Sequence, residues 1–115
     1  MATIQPVMKD IGSNCVRATW PNMAQGDDAA PVKLGGAADR SVQVEGTFDG
    51  VSVAIKGSID ETNFETLSDP TGTSLVFTAA KIEAITEATV QIKPELSGAG
   101  AATNVTVSLL VRSSK

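Results

Sequence analysis

A chain of 115 residues with nine cations and thirteen acids, net charge −4, has the length of one domain. It holds no histidine, no tyrosine and one cysteine, Cys15. That excludes a Cys-His nucleophile, an internal disulfide framework and a multi-thiolate zinc site, and it removes the commonest general base. Few cations on an acidic chain also predict no nucleic-acid partner, because affinity for phosphate comes from clustered Lys and Arg.

The chain is 42% hydrophobic but only 3% aromatic, so its core must be built from Val, Ile, Leu and Ala. Branched side chains pack well on a pleated surface.

Residues 1–40 carry a broken pattern. The first six lack the basic stretch and apolar run of a signal peptide, and no segment approaches the ~20 apolar residues that cross a bilayer. No membrane partner is expected. Val16, Ala18 and Trp20 alternate with Cys15, Arg17 and Thr19, which predicts a short strand. Pro21 has no N–H to donate and is expected to end it. Residues 25–31 read as a polar loop, residues 32–34 as a brief strand, and Gly35-Gly36 as its stop. With so few large apolar residues, the segment is expected to be an extended, irregular arm. It drapes over the following sheet or reaches a neighbouring chain. Trp20 has two readings, a cap on the end of the core or an anchor for a partner, since interfaces enrich tryptophan. Cys15 and Val16, on the same arm, join Trp20 as candidate interface residues, although a lone cysteine also fits a small packed hydrophobe.

Residues 41–115 read as the β-core. Val42, Val44 and Phe48 share one phase, with Gly46 leaving room on that face. Asp49-Gly50 is a hairpin dipeptide, followed by Val51, Val53 and Ile55 in one phase. After a turn region at 57–62 come Phe64 and Leu67, then the turn Asp69-Pro70-Thr71-Gly72. Leu75 and Phe77 alternate with Ser74, Val76 and Thr78. Residues 79–88 suit either one helical turn or a loop inserting Ile82 and Ile85 as plugs. Val90, Ile92 and Leu96 alternate, and Pro94 makes their strand an edge or a bulge. Residues 97–102 form a flexible Gly-rich loop. Val105, Val107, Leu109 and Val111 give the clearest alternation in the chain. Short strands at turn spacings of about 8–12 residues predict an all-β fold, a single antiparallel β-sandwich or jelly roll. Val44, Val53, Ile55, Leu75, Phe77, Ile92, Val107 and Leu109 are its expected core.

Sites are sparse. Asp27, Asp28, Asp49, Asp60 and Asp69 offer calcium-type oxygens, but without the alternate spacing and central glycine of a calcium loop they read as solvated turn carboxylates. Gly35-Gly36 and Gly98-Ala99-Gly100 precede no Lys-Ser/Thr helix start and are not phosphate loops. A glycan site would want aromatic platforms, and once the three phenylalanines enter the core only Trp20 is left. No catalytic, cofactor-binding or metal residue is assigned, and no cofactor is expected.

Residues 42–58, then Asn63-Phe64-Glu65-Thr66-Leu67, Asp69-Pro70-Thr71-Gly72, residues 77–80, and Ile92-Lys93-Pro94 before a Gly-rich loop make up a longer pattern. It resembles small structural proteins of tailed bacteriophages, including capsid decoration (cement) proteins. The layout is also similar to the discoidin-like jelly roll. Turn chemistry and core spacing carry this resemblance, so it transfers no residue roles. It implies a non-enzymatic virion protein, made in the host cytoplasm and seated on the outer capsid surface. Its partners would be the major capsid protein and further copies of itself. A tail-associated or glycan-binding sandwich, and a head-completion or tail part, are the alternatives.

Overall fold

The final alternating run sits at the centre of the fold. In the computed structural model, which describes residues 2–34 and 39–112, Val105, Val107, Leu109 and Val111 are all buried. The strands in chain order are β1 (Thr3–Ile4), β2 (Val7–Gly12), β3 (Cys15–Met23), β4 (Asp28–Ala29), β5 (Val32–Lys33) and β6 (Asp39–Thr47). They continue with β7 (Ser52–Ser58), β8 (Glu65–Thr66), β9 (Val76–Phe77), β10 (Lys81–Ala84), β11 (Gln91–Ser97) and β12 (Asn104–Arg112). The described residues contain no helix. One five-stranded sheet runs β10-β6-β12-β3-β2. The second runs β5-β11-β7-β8, with β9 also paired to β7. All pairs in both sheets are antiparallel, and β1 and β4 form a small parallel pair beside them. The fold is an all-β antiparallel sandwich.

Inward residues of both sheets form one apolar cluster, and all eight core residues expected from alternation belong to it. Period-two patterning fixes which face of each strand is buried, so the phase could be read directly. Pro94 also behaves as expected. β5 pairs with β11 only at Gln91 and Ile92, so Pro94 falls on a stretch of β11 that pairs with β7 alone.

Five expectations are corrected. Residues 1–40 are not an arm laid over a separate core, because β3 lies between β12 and β2 inside the first sheet. The short strand does not stop at Pro21. Trp20 pairs with Val107 and Met23 with Val105, so Pro21 and Asn22 together oppose Thr106 in a bulge. Asn22 takes φ 51° there, and its N–H donates to Thr106 Oγ1 at 3.1 Å. A bulge past the end of the β2 pairing asks no ladder hydrogen bond of the proline.

Asp49-Gly50 does form a tight turn, with φ 46° and 83° and Val51 N–H donating to the Phe48 carbonyl at 2.9 Å. It does not close a hairpin, because β6 and β7 belong to different sheets. The turn is a corner between the two layers. Residues 81–84 form an edge strand on β6 rather than a helical turn or a double plug. Ile85 is buried, but Ile82 is 62% exposed. The Gly-rich loop is held rather than free. Ala102 N–H donates to Asp49 Oδ2 at 2.9 Å, and Thr103 Oγ1 donates to the Phe48 carbonyl at 2.9 Å. The expected stop at Gly35-Gly36 lies outside the described residues.

Candidate interaction surface

The three candidate interface residues do not share a surface. Trp20 is fully buried, and its Nε1–H donates to the Ala30 carbonyl at 2.8 Å. Its reading as a partner anchor is therefore corrected: the ring fills the sandwich and its one donor is satisfied within the chain. Val16 is 37% exposed on the inward phase of β3, where the neighbouring β2 residue is Asp10. Cys15 is half-buried, with its thiol 3.7 Å from the Ser13 carbonyl. It lines a concavity of about 410 Å³ with Asp39, Arg40 and Arg112. Arg112 bonds Asp39 there through Nη2 at 2.7 Å and Nε at 3.2 Å, and this carboxylate pushes the guanidinium above its ordinary pKa.

The outward part of the N-terminal region is β2. Each of its six residues is exposed, with Val7 58%, Met8 51% and Ile11 47% accessible. β2 is the last strand of its sheet, so its outer edge has no strand partner among the described residues. The signal for it was present as Val7, Met8 and Ile11, but two intervening charges, Lys9 and Asp10, break any simple alternation. Ile82 and Leu110 lie farther across the outer face of the same sheet.

The aspartates have local work. Asp27 accepts from Ala24 N–H at 2.9 Å and Ala2 N–H at 3.2 Å. Asp69 accepts from the Thr71 hydroxyl at 2.6 Å and from the N–H groups of Thr71 and Thr73, which hold its carboxyl below the usual carboxylate range. Asp60 takes the N–H groups of Asn63 and Thr62, the Asn63 amide and the Ser58 hydroxyl, and its carboxyl is likewise well below that range. These are turn-capping carboxylates. Among the described residues, no three acidic or sulfur ligands gather around a common point.

A buried polar link joins β6 to the segment before β11. Arg40 is 4% exposed, and burial lowers its pKa. Its guanidinium donates to Thr89 Oγ1 at 3.1 Å and to the carbonyls of Thr89 at 2.6 Å and Glu87 at 3.4 Å. The Glu87 carboxylate turns the other way and accepts from Ser68 N–H at 2.8 Å and Ser68 Oγ at 2.5 Å. Burial acts to raise that carboxyl, but the two Ser68 hydrogen bonds prevail and hold it low. This link fastens the crossing between sheets, and its groups are consumed by one another.

No protein-family model matches this chain, and comparison with curated proteins and with solved structures finds no match.

Proposed function

We propose that this chain is a non-enzymatic structural protein of a phage head, docked outside the shell as a cement protein, with β2 as its contact to the major capsid subunits. The observation that carries this reading is the exposure of the whole of β2 at a free sheet edge. An edge strand offers unpaired N–H and C=O groups, and Val7 and Met8 add apolar area. The resemblance to cement proteins supplies the shell as partner. The acidic balance supports an exterior position, since packaged nucleic acid would repel −4 per copy. The mechanism is mechanical. A rigid sandwich adds buried area across subunit boundaries, and a standard interface of about 1,200–2,000 Å² is repeated over the whole lattice. Trp20, a candidate platform for a glycan-binding role, lies inside the core.

Co-sedimentation with purified shells tests the reading. The native chain is expected to pellet with shells. A Val7→Glu/Met8→Glu variant is expected to stay in the supernatant while melting at the native temperature. Equal pelleting of the two proteins would contradict β2 as the contact.

A further inference from the structure

Two exposed apolar features of opposite shape lie on opposite sheets. The first is a hollow of about 290 Å³ on the outer face of the β10-β6-β12-β3-β2 sheet. Ile11, Ile82 and Leu110 line it, together with Arg17, Gln43 and Ser108. Lys9 stands opposite Arg17 in the β2–β3 register, so the β2 side of the hollow carries two cations. Neither forms an ion pair among the described residues.

The second feature is a knob. Ile59, 73% exposed, directly follows β7 of the other sheet. Its loop is braced: Ser58 Oγ donates to Asp60 at 2.9 Å, Asn63 N–H donates to Asp60 at 2.8 Å, and Glu61 N–H donates to Ser58 Oγ at 2.8 Å. This bracing holds out an isoleucine among the acids Asp60, Glu61 and Glu65, of which Glu61 also meets Lys33 Nζ at 3.4 Å in an exposed ion pair. The core separates the two features, so one molecule cannot seat its own knob.

We propose that a second copy of this chain fills the hollow, with Ile59 entering between Ile11, Ile82 and Leu110 and its acidic loop facing Lys9 and Arg17. Charge favours this head-to-tail pairing over a two-fold stack of hollow on hollow, which would set Lys9 and Arg17 against their own images. Each copy keeps one free knob or one free hollow, so the contact propagates into a ring or a row. It involves this chain alone and stands apart from the shell reading.

Sedimentation velocity on the purified full chain tests it, using Ile59→Asp and Ile82→Asp, both at exposed positions, with melting curves as the folding control. The native chain should associate as concentration rises and dissociate in high salt. Each variant alone should weaken association at least tenfold. An equimolar mixture should recover a dimer and nothing larger, because one variant retains the hollow and the other the knob. A native chain that stays monomeric at every concentration would overturn the proposal. So would association untouched by either substitution, or a mixture that stays monomeric. Binding of the monomeric chain to anionic lipid vesicles through Ile82 would assign the hollow to a membrane and overturn it as well.

Discussion

Trp20 shows what a single side chain contributes at the layer between the sheets. A buried indole whose N–H is satisfied should emit at short wavelength and resist iodide quenching. Because it is the chain's one tryptophan, the whole emission spectrum reports on it. Trp20→Ala is expected to cost about 3–5 kcal/mol by urea unfolding, the range for a large buried ring. Two glycines separate backbone strain from collision. Gly72 has φ 90° with open space where a side chain would go, so Gly72→Ala should cost about 1–2 kcal/mol. Gly46 has φ 125°, and an added methyl would strike the Asn104 carbonyl and the Val105 Cα of β12. Gly46→Ala should cost clearly more, and equal losses in chemical denaturation would mean that β12 can yield. Burial was legible in the sequence at Val44, Val53, Ile55 and Val107, because alternation alone fixes the face. It was not legible at Trp20, because its surroundings come from β12, far along the chain, and from the Ala30 carbonyl.

At the scale of elements, pairing over long sequence distance decided what local pattern could not. Asp49-Gly50 has the chemistry of a hairpin turn and adopts it, yet its flanking strands pair with β12 and β11 instead of each other. A proline in β3 is tolerated because it meets the bulge and not the ladder. Truncation separates the two N-terminal strands. Deleting residues 2–12 removes an edge strand and the small β1–β4 pair, and should leave a cooperative but less stable domain. Deleting residues 2–24 also removes β3 and should abolish the cooperative melt. A folded product of the longer deletion would mean that the sheet closes without β3. The capped turns set the acid response. Asp60, Asp69 and Glu87 all titrate below their ordinary values in the folded chain. The unfolded chain therefore binds more protons as pH falls below about 4, and the stability these groups supply is lost as pH falls through their folded values. Melting temperature should drop between neutral pH and pH ~3. Asp60→Asn should flatten that drop, and an unchanged slope would remove Asp60 from the account.

For the whole molecule, the chain crosses repeatedly between two sheets, and the interior is closed by residues from both ends of the sequence. That closure leaves three features on the outside: the free edge at β2, the hollow on the outer face, and the braced loop at Ile59. Fold class was legible because strand spacing and turn residues are local signals. The outward surface was not, because exposure depends on which strand ends a sheet. The central claim is that this sandwich works by repetition on a particle. If the chain is the phage head protein proposed above, mass-spectrometric stoichiometry of intact phage particles tests that proposal most directly. A copy number comparable to that of the major capsid subunits is expected, and a dozen copies or fewer, or none, would contradict it.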